Sequence, residues 1–290
     1  MNYKLIAIDT SKAVFTLHGI DAGDRVVLRG DYSRSKRGKN DRIDAEAIAE
    51  ASLRPNMTFV PVKSAAQQGE AMPLRVRELL VRQRTQLVNA LRGHATEFGI
   101  VVGKGIEKVE ALLAHVAASG DIPQTARQMM AFLGEEIAHL DARIGEIDAS
   151  LKAQHKANPL SQLLESIPGI GPITALTLAT QVNAAQFTCA RHFAAWIGLT
   201  PRQHSSGGKT RLHGISRQGN ERLRQLLVVG AMAVISAAKP GSKTTSAWLL
   251  KLLERRPRKV AAVALANKMA RIVWAMMTSG EAYRKSPMPA

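Results

Sequence analysis

The sequence contains one cysteine, few aromatic residues and no long apolar run. Cys189 is the only cysteine among 290 residues, which excludes a disulfide framework and a cysteine-rich zinc site and favours a reducing cytoplasm. No apolar run approaches the roughly 18 residues needed to cross a bilayer. Residues 1–9 indicate a strand rather than a signal peptide, because they lack an apolar core and a cleavage site. We therefore expect a cytoplasmic protein with no membrane partner.

Acidic residues are scarce as well. The chain has 23 Asp and Glu against 40 Lys and Arg, which gives a formal charge of +17 and a pI near 10.5. Self-repulsion of such an excess destabilises a compact chain, so the excess is typical of proteins that bind a polyanion. Each neutralised phosphate releases a counterion, and nucleic acid is therefore the predicted partner. A ribosome-associated or merely solubilising basic surface is the alternative.

Local patterns predict β-structure first and long helices afterwards. Residues 3–8, 13–20 and 25–29 are short β-rich runs separated by turn residues, and they predict an antiparallel meander. Apolar residues three and four positions apart predict helices over about 64–99 and 126–154. The apolar stripe on the second helix is typical of a coiled-coil seam, formed either within one chain or between two.

Arginines decorate the first of these long helices. Its acidic residues, Glu70, Glu78 and Glu97, are too few to pair with all of them. A solvated helix face and a phosphate-facing helix are both compatible with this pattern. The arginines that we expect to contact nucleic acid are Arg75, Arg82, Arg84 and Arg92.

Two glycines stand two positions apart in the string Ile-Pro-Gly-Ile-Gly-Pro, with helical patterns on both sides. We expect Gly169 and Gly171 to turn the chain with positive φ and to bring backbone N–H groups close to a ligand. The helix that starts near Pro172 then offers its N-terminal dipole to an anion. This pattern is typical of a helix-hairpin-helix, which grips a DNA backbone without reading bases. An ordinary glycine-rich turn between helices is the alternative.

A Ser-Ser-Gly-Gly loop lies further along, within a strongly basic stretch. A flexible loop in so much positive charge suits a nucleophilic hydroxyl delivered to a phosphodiester. Serine, glycine and lysine also fill ordinary surface loops, so the loop alone is weak evidence. The residues of this stretch that we expect to bind DNA are Arg202, Lys209, Arg211, Arg217, Arg222 and Arg224.

Three carboxylates near the N-terminus could hold a metal ion. Asp9 closes the first predicted strand, and Asp41 and Asp44 lie three apart on a predicted helix, on one face. Such carboxylates can share Mg²⁺, which prefers oxygen ligands. Two ions about 4 Å apart would clamp the attacking and leaving oxygens of phosphoryl transfer. Helix N-terminal electrostatics and a strand-end turn explain the same residues without a metal.

Together these strings closely resemble the DEDD-type insertion-sequence transposases, the group named after insertion sequences 110 and 1111. The matching strings occur in the family's order and span nearly the whole chain. They are residues 8–12, 39–45, 77–91, 167–172, 198–201, 206–207 and 215–220.

The resemblance implies a mechanism and partners. In the family, three aspartates and a glutamate bind Mg²⁺, and a serine of the C-terminal domain attacks DNA to give a covalent intermediate. Carried over, Asp9, Asp41 and Asp44 would be metal ligands, and Ser206 would be the nucleophile, with Ser205 as a second candidate. The family also implies a guide RNA, and a composite site assembled between subunits of a dimer or tetramer.

The implied fold class is α/β plus α, in four parts. These are a truncated RNase H-like (RuvC-like) metal-site domain over 1–62, long helices with a coiled coil over 63–156, a C-terminal transposase domain with the helix-hairpin-helix and serine loop over 157–245, and a basic helix with a loose tail over 246–290.

The acidic domain departs from the family in one respect. The family's glutamate lies on a strand well past the first aspartate, and a helix and another strand follow it. Here only residues 30–39 separate the third strand from Asn40, and neither Asp31 nor Glu46 is in the matching context. We therefore predict a defective metal site in a protein of transposase lineage. A non-catalytic nucleic-acid-binding remnant is one alternative, and a Holliday-junction nuclease, which gives the Ser-Gly loop no role, is another.

Overall fold

The computed structural model describes residues 62–203, 211–239 and 246–284, the backbone of three strands between residues 5 and 29, and the single positions Ala49 and Leu53. The chain divides into two compact units, Met1–Val62 and Lys63–Ala290.

The first unit contains an antiparallel sheet. Its strands are β1 (Leu5–Thr10), β2 (Phe15–Ile20) and β3 (Val26–Arg29), in the order β1-β2-β3. The pairing of β2 with β3 shifts register at Gly19/Ile20, which marks a bulge or irregularity. The predicted meander is confirmed. The helix predicted at Asn40 lies outside the described residues, apart from Ala49.

A long helical hairpin opens the second unit. Helix α1 (Ala65–Glu97) begins at Ser64, whose hydroxyl accepts a hydrogen bond from the Gln67 N–H while the Gln67 side chain accepts one from the Ser64 N–H. This reciprocal capping box satisfies two backbone donors that a helix start otherwise leaves without partners. A 3₁₀ turn and α2 (Val109–Ala118) follow, and α3 (Gln124–Ala157) returns along α1.

The seam of α3 repeats every seven residues, and it packs within the chain. Leu151 shares an apolar cluster with Leu74 of α1, and Ile137 shares another with Val88 of α1. Both predicted helices and the predicted seam are thus confirmed, and of the two arrangements left open the structure has the one within a single chain. The buried seam residues of α3 are Met130, Ile137, Ile144 and Leu151.

Two ion pairs fix the direction of the hairpin. Arg77 pairs with Asp148, and Arg84 pairs with Asp141, so a step of seven residues forward on α1 matches seven backward on α3. The helices are therefore antiparallel, in the same register that the apolar clusters require. Charged layers thus alternate with apolar layers along the seam.

Helix α2 packs on α3 at a glycine. A Cβ added at Gly134 would lie 2.5 Å from Leu113 Cδ1, so the missing side chain lets the two helices approach closely.

A helical body with one small hairpin follows the long helices. Its largest apolar cluster draws on all of its α-helices, and no residue of α1 or α3 belongs to it. The fold is thus mostly helical with small sheets. The elements of this body are α4 (Pro159–Glu165), α5 (Pro172–Gln181), α6 (Ala190–Trp196), β4 (Pro201–Gln203), β5 (Leu212–Ile215), α7 (Glu221–Ser236), α8 (Ala247–Arg255) and α9 (Arg258–Ser279).

Helix α9 has the length and mean hydropathy of a membrane span, with a mean hydropathy of 1.4 over its most apolar stretch. It nevertheless carries Lys268 and Arg271, and it contributes fully buried alanines such as Ala261 and Ala266 to the largest core cluster. Small side chains of this kind allow close packing of neighbouring helices, as expected for a core helix.

Candidate nucleic-acid interface

Strands β4 and β5 form a hairpin whose loop contains the predicted nucleophile. The pairs Pro201↔Ile215 and Gln203↔Leu212 define the antiparallel ladder. Residues 204–210, which include Ser205, Ser206 and Lys209, lie outside the described residues. In the sequence, Ser206 is three residues after Gln203, the last residue of β4.

Two glycines lock the base of this hairpin. Gly198 and Gly219 have φ of +78° and +72°, in the left-handed region that favours glycine. A Cβ at Gly198 would overlap the backbone of Gln218, and one at Gly219 would overlap the carbonyl oxygen of Trp196. The two segments that carry β4 and β5 thus cross in direct backbone contact.

Backbone hydrogen bonds join the same two segments. The Ser216 N–H donates to the Thr200 carbonyl at 2.8 Å, and the Arg217 N–H donates to the Gly198 carbonyl at 3.2 Å. Arg217 itself has φ +56°, a conformation that costs a non-glycine residue roughly 1–2 kcal/mol. Its side chain is exposed. Backbone strain at an exposed arginine is unusual, and such strain occurs most often at functional sites. Arg217 follows the β4–β5 hairpin by two residues.

Two of the predicted DNA-binding arginines brace this base. Arg224 Nη1 donates to the carbonyls of Ile197 and Gln218 at 2.8 and 2.9 Å. Arg202 donates from Nε and Nη2 to the Ser216 carbonyl at 3.3 and 3.1 Å. Sequence reasoning assigned both to DNA, but the structure gives each an internal structural contact.

The remaining predicted cations differ in their surroundings. Arg222 forms an ion pair with Glu78 of α1, with 3.5 Å between Nε and Oε2. Arg211 is exposed just before β5, and Arg217 is exposed and lines a groove.

This groove runs between the β4–β5 hairpin and α9 and has a volume of about 1110 Å³. Lys268 Nζ lies 4.6 Å from the centroid of the Trp248 ring, within the range of a cation–π contact. None of the described residues that line the groove is acidic. Its basic lining residues are His213, Arg217, Lys259, Lys268 and Arg271. We call this feature the α9 groove.

Sequence reasoning missed the contribution of α9 to this groove. Lys268 and Arg271 are three residues apart, so they lie on one helix face. The sequence contained a signal for this contribution. Lys268 and Arg271 are the two cations within an otherwise apolar, alanine-rich stretch of the last helix.

The turn between α4 and α5 is only partly as predicted. Gly169 has the expected positive φ, +88°, whereas Gly171 has φ −88° and ψ 176°, which is extended backbone. The positive φ predicted for Gly171 is therefore wrong. Gly169 packs inward, since a Cβ there would lie 2.8 Å from the Gly230 carbonyl oxygen on α7, while a Cβ at Gly171 would meet open space. Gly171 is thus the more accessible of the two.

The α1 arginines divide into two classes. Arg84 pairs with Asp141 of α3, and Arg92 Nη2 donates to the carbonyls of Gly103 and Gly105 at 3.0 and 2.6 Å. Sequence reasoning counted only the acids of α1 itself and so overlooked partners on α3. The exposed arginines of α1 are Arg75 and Arg82.

The predicted metal ligands are only partly described. The backbone of Asp9 lies at the end of β1, opposite Thr16 of β2. Asp41 and Asp44 lie outside the described residues, so their geometry stays a prediction. Within the described part of the chain, no three His, Cys, Asp or Glu side chains group closely enough to hold a metal ion.

The basic excess is concentrated after α4. Residues 63–165 contain 12 Lys and Arg against 12 Asp and Glu, whereas residues 166–290 contain 18 Lys and Arg against three Asp and Glu. The stretch through α4, which contains the long hairpin, is therefore charge-balanced, and the part of the helical body after α4 carries most of the excess. This distribution predicts that a polyanion is attracted more strongly to the body than to the hairpin.

Two family models match the chain. A model described as "Transposase IS116/IS110/IS902 family" matches residues 161–247, and a DEDD-type model described as "Transposase" matches residues 24–100. The first match contains Ser206 and the α4–α5 turn. The second contains Asp41 and Asp44 but begins after Asp9.

Three relatives illustrate the similarity. A Sinorhizobium fredii protein named as a transposase, y4pF/y4sB, is 43% identical over 97% of this chain and 86% of its own length. A Pseudomonas aeruginosa protein named as a family 20 transposase is 38% identical over 98% of this chain and 99% of its own. The transposase for insertion sequence element IS1111A of Coxiella burnetii is 43% identical over 86% of this chain and 69% of its own.

Proposed function

We propose that this chain, which belongs to the IS116/IS110/IS902 family of transposases, binds the DNA ends of an insertion sequence and directs Ser206 at a phosphodiester. The observation that carries this proposal is the β4–β5 hairpin. Its loop contains Ser206, its base is locked by glycine contacts, and the cationic α9 groove runs along its side. A nucleophile needs this combination of fixed support and positive charge.

The proposed chemistry is a transesterification. The Ser206 Oγ attacks phosphorus, an Oγ–P ester forms, and the bond from phosphorus to one deoxyribose oxygen breaks. The proton of the serine hydroxyl is transferred to a base or to the leaving oxygen, so charge and atoms balance. Arg217 is the groove arginine or lysine nearest in the sequence to Ser206, and it would stabilise the negative charge of the five-coordinate phosphorus. Ser205 is the second candidate for the nucleophile.

Asp9, Asp41 and Asp44 would hold Mg²⁺. Three carboxylates are suitable ligands in chemical type, since Mg²⁺ prefers oxygen donors and retains waters and substrate phosphates. When bound, the ion supplies positive charge to the phosphate oxygens. The role of these three residues would be to hold the ion.

The aligned lengths support a missing internal segment. The alignment with the P. aeruginosa relative has 336 positions against 290 residues in this chain, so at least 46 positions have no residue here. It covers both proteins almost from end to end, so these positions are internal.

A second alignment limits where in the chain the missing segment can lie. The alignment with the C. burnetii relative has 252 positions and takes in 86% of this chain, about 249 of 290 residues, so it contains almost no gap. A run of about 249 residues within 290 can start no later than about residue 42 and end no earlier than about residue 249. A large gap therefore cannot lie between about residues 42 and 249. A gap at residues 30–39 is consistent with this limit, and it would remove the strand that carries the fourth ligand of the family.

We therefore propose that DNA binding is retained and that strand cleavage is impaired. A sheet that lacks an interior strand leaves backbone groups without partners, and a carboxylate set that lacks a member binds Mg²⁺ less tightly. A non-catalytic nucleic-acid-binding protein is the second candidate function, and the same missing segment favours it.

A strand-cleavage assay with Mg²⁺ on duplexes that carry the element ends tests the proposal. We expect the full chain to bind the duplex and leave nearly all of it uncut, and we expect Ser206→Ala to bind equally well. Insertion of the relative's extra segment between residues 30 and 39 should restore cleavage. Robust cleavage by the unaltered chain, lost in Asp9→Asn, would overturn the impaired site.

The family resemblance also implies a DNA-binding turn, a guide RNA and an oligomer. The α4–α5 turn has the order of a helix-hairpin-helix, and the N-terminus of α5 at Gly171 is open to an anion. A truncated RuvC-like domain, a guide RNA and assembly into a dimer or tetramer follow from the family resemblance. Size-exclusion chromatography with light scattering, with and without the element's RNA, tests the last two.

A further inference from the structure

The α9 groove is lined by apolar side chains, which we call its floor, and by cationic side chains, which we call its rim. Val260 and Trp248 face it while 52% and 38% exposed, and Val263 and Ile272 also line it. Large apolar side chains that are exposed in a groove indicate a binding site, where a partner covers them. The rim is formed by Arg217, Lys259, Lys268 and Arg271.

This combination distinguishes two forms of nucleic acid. A duplex keeps its bases stacked inside and presents sugars and phosphates, so it would meet the rim and leave the floor exposed. A single strand presents unpaired bases as well, and these stack on aromatic and apolar side chains while the phosphates contact cations. Only a single strand can therefore contact the apolar floor with its bases and the cationic rim with its phosphates.

The groove is short. Lys259 and Arg271 are twelve residues apart on α9, which is about 18 Å along a helix. A groove of this length holds a few nucleotides rather than a long strand. It lies along the β4–β5 hairpin, whose residues Pro201 and Ile215 line it.

We propose that the α9 groove binds a short single-stranded segment of DNA, with a base on Trp248 and phosphates on Arg217, Lys259 and Arg271. The proposal rests on the proposed function only in naming the strand as DNA. Trp248 is a base-stacking residue, and Lys268, which lies over its ring, holds the indole in place. Separation of the strands at the cleavage point would supply such a segment.

Binding to the full chain is measured by fluorescence anisotropy with a labelled 12-nucleotide single strand, the matching duplex and the matching RNA. We expect the single strand to bind more tightly than the duplex, and Trp248→Ala to weaken it by roughly tenfold, the scale of one lost base stack. Trp248→Phe keeps an aromatic face and should lose less. Lys259→Gln and Arg271→Gln should each lower the salt dependence, d log K/d log [salt], by about 0.7, the value for one single-strand phosphate contact.

Two matched controls accompany these variants. Trp196 is as exposed as Trp248, at 38%, but does not line the groove, so Trp196→Phe should leave binding unchanged. Lys152 is exposed on α3, so Lys152→Gln removes one charge away from the groove. Quenching of tryptophan fluorescence by the strand should disappear in Trp248→Phe and persist in Trp196→Phe.

The outcomes separate the alternatives. Equal binding of strand and duplex with no effect of Trp248→Ala would overturn the single-strand assignment, and tighter binding of RNA would overturn DNA. No effect of any groove variant would mean that another part of the chain covers the groove, which also overturns the proposal. In the chain with the relative's segment inserted, cleavage that survives Ser206→Ala would refute the proposed nucleophile while leaving the groove result intact.

Discussion

At the scale of single residues, the two glycines of the α4–α5 turn have opposite requirements. Gly169 combines φ +88° with a Cβ position 2.8 Å from the Gly230 carbonyl oxygen, whereas Gly171 is extended and faces open space. We expect Gly169→Ser to lower the free energy of unfolding by about 2–4 kcal/mol, from left-handed strain and overpacking. Gly171→Ser should raise it by up to about 1 kcal/mol, because serine caps a helix and restricts the unfolded chain.

Urea unfolding followed by circular dichroism measures both variants. The same substitution two positions away serves as the internal control. Equal effects at the two positions would mean that the turn does not have the contacts described, and that its glycines are simply interchangeable loop residues.

At the scale of elements, we predict that the charged layers of the α1–α3 hairpin fix the register of the two helices but add little to the stability of the hairpin. Arg84 and Asp141 are 24% and 41% exposed, so solvent screens their attraction. We expect each single leucine substitution to destabilise the hairpin, since one charge is then left at the seam. The double variant Arg84→Leu/Asp141→Leu should be at least as stable as the unaltered chain, because it makes the seam continuously apolar.

Thermal unfolding of the two single variants and the double variant measures this difference. Arg143 and Glu146 form an exposed pair on the same helix, and its removal should cost less than about 0.5 kcal/mol. A double leucine variant that is much less stable than either single variant would contradict the expectation.

These elements also show what the sequence could predict. Periodicity located α1 and α3 to within three residues at each end, because helices with one apolar stripe carry a signal along their whole length. It could not pair Arg84 with Asp141, since those residues are 57 positions apart and no pattern within α1 reveals the register. The same limit hid the α9 groove, whose floor, rim and hairpin come from distant segments.

At the scale of the whole molecule, the charge is divided unequally between the hairpin and the helical body. Residues 63–165 are balanced, and residues 166–290 carry 18 Lys and Arg against three acids. Long-range attraction of a polyanion follows this distribution. Two pairs of exposed arginines therefore allow a matched comparison: Arg75 and Arg82 on α1, and Arg255 and Arg256 at the junction of α8 and α9.

We expect the double variant Arg255→Gln/Arg256→Gln to lower the salt dependence of duplex binding by up to about 1.8, which is two phosphate contacts at about 0.9 each. Arg75→Gln/Arg82→Gln removes the same charge and should change it little, because the acids of the hairpin already offset its cations. Titrations at several salt concentrations with a duplex of unrelated sequence measure both slopes. A comparable decrease for the α1 pair would place the hairpin on the DNA as well, and would return Arg75 and Arg82 to the phosphate-contacting role that their sequence pattern predicts.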